Sequence, residues 1–365
     1  MNPIDHPERF CERYCERPDA KRRRLLQGFG AAGIAAALPG SPFDLVGAAR
    51  AQGAAKTLTT ALSWIPNHQF AGMWIALDKG WFDEAGVKVS WRPGGPNTPN
   101  PVERVASGEI GLGQQSNPRP VLEAIVKGND FVVVGTRFQR QPGGLLSLAK
   151  NPVLTPKDMV GKKIIAPNPT DVRTIETALK ANKLPVNFQY VPGGSDPQGL
   201  LDGQGDAMIA FVTNQTITLE RKGLVKDKDF FHRSWDELGV PGYSNFLFGT
   251  RKWVADNRDA LVRYLRTEIR GWIENEKNPA YGAKLAVEKY GVDFGLDLKQ
   301  ETRSNELQIP FLHSKDTEQN GLFWVSRERL GGPMYDALRA GGVDKLPDVD
   351  KVIDMSLLRD ARARG

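Results

Sequence analysis

A five-part pattern that occurs twice constrains the fold of this chain more than any other feature. Each copy contains a strand, a Pro-Gly-Gly turn, a capped helix that starts with proline and stops at glycine, a second strand, and a loop of amide side chains. The first copy spans residues 87–116 and the second spans residues 188–215. Strands that alternate with helices at these lengths favour a doubly wound sheet, so each copy predicts one α/β lobe.

The segments outside the two copies indicate how the lobes are joined. We interpret residues 144–156 as the first crossing and residues 241–250 as the return. The sequence therefore predicts an α/β protein with an inserted second lobe, two crossing strands and C-terminal helices. The predicted divisions are 52–152 and 244–300 for the first lobe, 153–243 for the second lobe, and 301–365 for a helical segment that packs on the first lobe.

Residues 1–51 have the pattern of an export signal. Four basic residues at 21–24 precede a weakly apolar run at 28–38, and Ala49-Arg50-Ala51 matches a small-residue cleavage site. The arginines before Leu25 and Leu26 resemble a twin-arginine signal. We expect cleavage near Ala51 and a mature protein in the periplasm. Both cysteines of the chain lie in this segment, so we expect no disulfide beyond it.

Composition and motifs exclude several functions. The formal net charge is +6 over 365 residues, and no basic stripe follows the leader, which argues against nucleic acid as a partner. The sequence contains no G-x-S-x-G, H-E-x-x-H, P-loop or G-x-G-x-x-G motif. Beyond the leader, histidine occurs only at positions 68, 232 and 313, which are too far apart to predict a metal site. We expect no catalytic residue, metal or cofactor.

Loops at the predicted strand ends carry aromatic rings and amides. The loop at 65–69 opens directly into a helix, and ligands of α/β sheets bind at such positions. Rings supply stacking area and amides supply orientation, a combination that suits a flat polar heterocycle. Arg119 and Arg137 would suit an anion such as a sulfonate instead. The predicted ligand-binding residues are Trp64, Asn67, His68, Phe70, Gln115, Ser116, Asn117, Phe138, Asn168, Thr170, Asp171, Asn214, Tyr243 and Asn245.

The first of these loops resembles the opening of a known family. WIPN at 64–67, AGMWIA at 71–76, KGWF at 79–82 and GEIGLG at 108–113 are similar to motifs of periplasmic binding proteins related to the fungal thiamine-pyrimidine synthases. That family belongs to the wider group of nitrate, sulfonate and taurine receptors. The resemblance implies a type II, two-lobed binding protein that captures a pyrimidine-like or other small solute and delivers it to an ABC permease of the inner membrane. We expect a monomer.

Two departures from the family pattern bear on ligand and activity. The family often has Asp or Asn before the tryptophan and His three residues after the asparagine, where this chain has Ser63 and Phe70. The chain also lacks the cysteine-rich segment of the synthases, so the resemblance transfers binding and not synthesis. Three functions stay open: a binding protein for a pyrimidine, thiamine precursor, sulfonate, taurine or nitrate; an enzyme with His68 or Asp171 as acid or base; and a receptor that signals to a sensor protein.

Overall fold

The computed structural model describes residues 56–95, 98–166, 172–194 and 196–363. The predicted export signal and three predicted ligand contacts, Asn168, Thr170 and Asp171, lie outside the described residues. The strands are β1 (Lys56–Ala61), β2 (Val87–Arg92), β3 (Leu112–Gln115), β4 (Phe131–Phe138), β5 (Gly143–Leu148), β6 (Lys163–Ala166), β7 (Gln189–Pro192), β8 (Ala207–Phe211), β9 (Phe230–Ser234) and β10 (Ser244–Thr250).

Helices cover both sheets and form most of the C-terminal third. Among the described residues no helix has both the length and the apolar content that crossing a membrane requires. The α-helices are α1 (Ala71–Asp78), α2 (Trp81–Glu84), α3 (Pro101–Ala106), α4 (Arg119–Val126), α5 (Val172–Ala181), α6 (Gln198–Leu201), α7 (Gln215–Arg221), α8 (Arg251–Asp256), α9 (Arg258–Lys277), α10 (Pro279–Leu285), α11 (Leu298–Gln308), α12 (Lys315–Asn320), α13 (Arg327–Arg329), α14 (Tyr335–Ala340), α15 (Val349–Val352) and α16 (Ser356–Ala363). Single 3₁₀ or π turns occupy His68–Phe70, Pro156–Met159, Ala286–Tyr290, Val292–Phe294, Ile309–Leu312 and Leu330–Met334.

The ten strands form two five-stranded sheets with the same internal order. The first sheet runs β2-β1-β3-β10-β4 and the second runs β7-β6-β8-β5-β9. In the first sheet β1 pairs in parallel with β2 and β3, and in the second β6 pairs in parallel with β7 and β8. The shared strand order agrees with the repeat in the sequence. The first copy of the repeat supplies β2 and β3, and the second copy supplies β7 and β8.

Each sheet also contains one antiparallel strand, which the sequence did not predict. β10 runs antiparallel to β3 and β4, and β5 runs antiparallel to β8 and β9. Both strands enter directly from the other sheet, since β5 follows β4 and β10 follows β9 along the chain. Two strands that pair in parallel need a long crossover, usually a helix, between them. The connections from β4 to β5 and from β9 to β10 contain no helix.

The first crossing lies earlier than the sequence predicted. The chain leaves the first sheet after Phe138 and enters the second at Gly143, so residues 139–142 make the crossing. The prediction of a crossing at 144–156, with a lobe boundary at residue 152, was wrong. The extended residues from Leu145 pair with β8 and β9 and belong to the second sheet.

The C-terminal segment contacts both sheets, not only the first. Phe323, Leu330 and Leu357 are buried in the hydrophobic core of the first sheet. On the other side, the Ser304 hydroxyl donates to the backbone oxygen of Thr213, which follows β8, at 2.7 Å. Arg303 likewise pairs with Glu220 of α7 at 3.1 Å, and Arg329 pairs with Asp236 at 2.6 Å. The segment therefore bridges the two lobes, a role that helical periodicity alone does not indicate.

Candidate functional site

Three neighbouring strands of the first sheet bring polar side chains to one edge. β1 and β3 end at this edge and the antiparallel β10 begins there. Ser63 follows β1, Ser116 follows β3, and Asn245 is the second residue of β10. Ligands of open α/β sheets bind outside the carboxyl ends of the parallel strands, so this edge is the candidate site.

Asn245 joins the three strand ends. Its Oδ1 accepts hydrogen bonds from the Ser63 hydroxyl at 2.7 Å and from the Ser116 hydroxyl at 3.0 Å. The residue has φ = +61°, in the left-handed region that asparagine tolerates better than most residues. Its neighbours Ser244 and Phe246 pair with β4, while Asn245 itself is absent from that register. The backbone therefore turns the Asn245 side chain toward the ends of β1 and β3.

The aromatic residue beside this cluster is accessible. Trp64 directly follows Ser63 in the chain and keeps 41% of its surface exposed, a high value for tryptophan in a folded domain. Gln115 is buried at the end of β3, and Asn117 is exposed just after it. The structure thus brings Ser116 and Asn245 together and places Trp64, Gln115 and Asn117 next to them in the chain. Ser63 was missed as a contact, because the sequence comparison treated it as a lost polar group.

The helix-opening loop is held by internal contacts. The Asn67 side chain accepts from the backbone N–H of Gln69 at 3.0 Å, and its carbonyl accepts from the Trp74 indole at 2.9 Å. His68 is buried, and its Nδ1 lies 2.8 Å from Glu301 of α11. Both predicted contacts therefore shape the loop, and their direct role toward a ligand stays a prediction.

Two predicted aromatic contacts lie in the hydrophobic core. Phe70 is fully buried and meets Trp74 edge-on at 5.9 Å between ring centroids. Phe138 is 2% exposed and packs on Trp272 at 6.2 Å. Neither ring offers a face to the sheet edge, so their assignment as stacking residues was wrong. Trp74, four residues along the chain, covers the Phe70 ring, and the sequence pattern shows only that both residues are apolar. Trp272, which covers the Phe138 ring, is distant in sequence, so a pattern along the chain does not show it as a partner.

Arg137 is not available to an anion. Its guanidinium is fully buried and pairs with Glu268 of α9, with Nε at 2.7 Å from Oε1. Another contact runs from Nη1 to the Gln114 side-chain oxygen at 2.5 Å, and the Gln114 NH₂ group in turn donates to the Thr60 hydroxyl. The earlier interpretation of Arg137 as an anion contact is therefore corrected. The ion pair joins β4 to α9 inside the first lobe.

A cavity of about 230 Å³ lies where both lobes, the return crossing and the C-terminal segment meet. It contains two predicted residues, Asn117 and Tyr243. The Tyr243 hydroxyl accepts from the backbone N–H of Ser326 at 2.9 Å, and burial raises the pKa of Tyr243. Arg119 and Arg173 also line the cavity, and among the described residues no acidic side chain does. Arg173 had no distinguishing signal in the sequence beyond its place at a helix start.

Asn214 is exposed directly after β8, at the corresponding edge of the second sheet. No contact in the described part of the chain joins its side chain to the Asn245 cluster. Its neighbour Thr213 is the residue whose carbonyl meets Ser304. The role of Asn214 toward a ligand therefore stays a prediction, as do those of the undescribed Asn168, Thr170 and Asp171.

Comparisons with known proteins agree with this architecture. A formylaminopyrimidine-binding protein of Halalkalibacterium halodurans is 22% identical over 292 residues, covering 77% of this chain and 80% of that protein. A riboflavin-binding protein, RibY, of Chloroflexus aurantiacus is 23% identical over 312 residues, covering 82% and 85%. The periplasmic aliphatic sulphonate binding protein SsuA of Escherichia coli matches with a TM-score of 0.60 at 18% identity, over 82% of this chain and 92% of that one.

The structural similarity confirms the predicted two-lobed fold of type II periplasmic binding proteins. Residues 67–281, more than half of the chain, match the family described as NMT1/THI5 like. The match begins within the WIPN motif of the first loop and extends past the end of α9. It confirms the resemblance seen in the sequence, and the chain belongs to the NMT1/THI5 like family.

Proposed function

We propose that this protein is the solute-binding component of an ABC importer and that it captures a small planar polar solute between its lobes. The observation that carries the proposal is the cluster of Ser63, Ser116 and Asn245, together with Trp64, which follows Ser63 in the chain and is 41% exposed. Such an edge combines an aromatic stacking surface with fixed polar groups. The proposal includes export to the periplasm, a monomeric state and delivery to an inner-membrane permease.

The relatives support a flat nitrogen heterocycle as the solute. Their names give formylaminopyrimidine and riboflavin as ligands, and both contain planar rings with carbonyl and ring-nitrogen groups. Trp64 supplies the face for such a ring, and closure of the lobes would be selected by contacts to both. We propose a pyrimidine or thiamine-precursor type of compound first.

A sulfonate or nitrate is the second candidate, and one observation favours it. The cavity between the lobes is lined by Arg119 and Arg173, with no acidic side chain among the described lining residues. Arg119 is partly neutralised, because its Nε lies 2.6 Å from Glu123. Arg173 would then be the main cation available to an anion.

Thermal unfolding with a ligand panel tests the proposal. Purified protein is mixed separately with a formylaminopyrimidine, with riboflavin, with the sulfonate MOPS or with nitrate. The protein is then denatured, and the released ligand is identified by mass spectrometry. A ligand at one hundred times its Kd stabilises the native state by about 2.7 kcal/mol, which raises Tm measurably. We expect a shift with a heterocycle and recovery of the same mass. Turnover, or no shift with any compound and none co-purified, would contradict the proposal.

A matched pair of variants separates binding from stability. Trp64→Ala should weaken heterocycle binding by about tenfold, since base–aromatic stacking contributes on the order of 1–3 kcal/mol in comparable sites. Ile273→Ala, on α9, removes an apolar side chain that is 46% exposed and should leave binding unchanged. Equal binding by both variants would remove Trp64 from the site.

A further inference from the structure

We propose that Asn245 is the specificity-determining residue of this site, donating a hydrogen bond from Nδ2 to an acceptor atom of the solute. Ser63 and Ser116 act as positioning residues that fix the orientation of its amide. The inference rests on the proposed function and adds to it the chemistry of the group that is recognised. The solute must present a carbonyl oxygen, a sulfonate oxygen or an unprotonated ring nitrogen to this point.

The two serine hydroxyls hold the oxygen end of the Asn245 amide. A carboxamide oxygen has two lone pairs, and here both are engaged, at 2.7 Å from Ser63 and 3.0 Å from Ser116. The NH₂ group then points away from both serines. The partner that suits this NH₂ group is an acceptor atom of the solute, either a ring nitrogen or a carbonyl oxygen.

The NH₂ group has no partner in the described part of the chain, although the Asn245 residue is only 1% exposed. Buried polar groups are nearly always hydrogen-bonded, because desolvation without a partner is unfavourable. An unpaired donor on a side chain that is only 1% exposed, at the ends of three strands, is available to a partner outside the described part of the chain, such as a solute. The donor lies on the lobe that also carries the exposed Trp64 ring.

The backbone supports the same conclusion. Asn245 holds φ = +61°, and left-handed residues that are not glycine concentrate at functional sites. An ordinary extended residue at this position would stay in register with β4 and would project its side chain from one face of the sheet. The turn instead brings the side-chain amide to the sheet edge, where the backbone nitrogen of Asn245 lies 3.4 Å from the carbonyl oxygen of Ser116.

The decisive variant is Asn245→Asp, which changes only the donor. Aspartate retains an oxygen for both serine hydroxyls and tolerates the left-handed backbone, but it replaces NH₂ with an oxygen that repels an acceptor. Binding is measured by calorimetry at pH 7.5 with riboflavin and with a formylaminopyrimidine. We expect N245D to raise Kd at least tenfold. The control Asn187→Asp adds the same charge at an exposed position before β7 and should leave Kd unchanged.

A pH series gives a readout that a merely structural role would not produce. A protonated aspartate carries an O–H donor, so riboflavin binding by N245D should recover as the pH falls, while binding by the wild type and by N187D should not improve. Ser116→Ala should weaken binding three- to tenfold, and Ser116→Thr, which keeps the hydroxyl, should restore it. Unchanged affinity in S116A would overturn the inference even where N245D fails to fold.

The outcomes separate the two proposals. If wild-type protein binds a probe and N245D binds it equally well at every pH, Asn245 only shapes the strand end and this inference is wrong, while the proposed function stands. If wild-type protein binds none of the panel and carries no compound through purification, the proposed function itself fails. Weaker binding by N245D with recovery at low pH supports both.

Discussion

One carboxylate oxygen of Glu301 contacts both the backbone and the ring of His68. Oε2 accepts the His68 backbone N–H at 2.8 Å and lies 2.8 Å from Nδ1 of the same residue. From the same helix, α11, Gln308 donates to the His68 carbonyl at 2.7 Å. Helix α11 therefore fixes the loop that precedes α1, although 233 residues separate Glu301 from His68. Among the described residues, His68 therefore connects this loop to α11.

Glu301→Ala should destabilise the protein by about 1–3 kcal/mol, because a buried backbone donor and the ring lose their acceptor. The free energy of unfolding from urea titration measures the loss. Glu306→Ala is the matched control on the same helix, since Glu306 is exposed and its ion pair among the described residues is with Arg303. The control should change stability by less than about 0.5 kcal/mol. Equal effects from both changes would show that the Glu301 contacts contribute little.

Glu268→Ala should be the most damaging change to a charge in the first lobe. Arg137 and Glu268 are both fully buried, so removing the carboxylate leaves a guanidinium in the core without its counter-ion. Breaking such a pair costs about 3–5 kcal/mol. The exposed pair of Lys252 and Asp256 on α8, with nitrogen and oxygen 2.6 Å apart, is the control. Asp256→Ala should cost less than about 1 kcal/mol in the same denaturant titration.

Stability should fall on acidification because of His232. Burial lowers the pKa of His232 to about 4 from 6.5, while its Nε2 lies 3.2 Å from the Ala210 carbonyl. Between those two values the unfolded chain binds a proton that the folded chain does not, so stability is full above pH 6.5 and is lost as the pH falls toward 4. The contribution of this one group between pH 7 and pH 5 is about 2 kcal/mol.

Urea midpoints at pH 7 and pH 5 measure this effect by difference. His232→Gln should reduce the loss between the two pH values by about 2 kcal/mol relative to wild type. His313→Gln, at a position where the side chain is 43% exposed, is the control and should leave the pH dependence as in wild type. A pH dependence in H232Q that equals the wild-type one would show that the titrating group lies elsewhere.

The sequence predicted the lobes well because their signals are local. Pro-Gly-Gly turns, Asn100 and Asp196 before proline, and glycine helix stops act within a few residues, so they mark elements without knowledge of the fold. The direction of β5 and β10 was not visible, because it depends on which sheet each strand enters. The crossing was placed too late for the same reason.

The site was predictable only in part. Ser116 was predicted as a loop residue after a strand and Asn245 as a residue of the return crossing, and the structure joins their side chains through a hydrogen bond. Ser63 has no signature of its own, since its role arises from the adjacency of β1, β3 and β10. Phe70 and Phe138 were misassigned because Trp74 and Trp272 pack against their rings. Both phenylalanine rings therefore lie in the core and not in the cleft.

The contact between α1 and α9 supplies the last prediction. Gly271 of α9 meets Gly72 of α1 so closely that an added Cβ at Gly271 would lie 1.9 Å from the Gly72 carbonyl oxygen. Alanine in place of glycine normally favours a helix by about 1 kcal/mol, so helix propensity and packing predict opposite signs. We expect packing to dominate, with Gly271→Ala lowering the free energy of unfolding by about 1–3 kcal/mol or more. Gly242→Ala, where an added Cβ meets nothing within 4 Å, should stay near wild type in the same urea titration. A stabilised G271A would mean that the two helices separate without cost, and that their close approach does not hold α1 and the loop before it against the sheet.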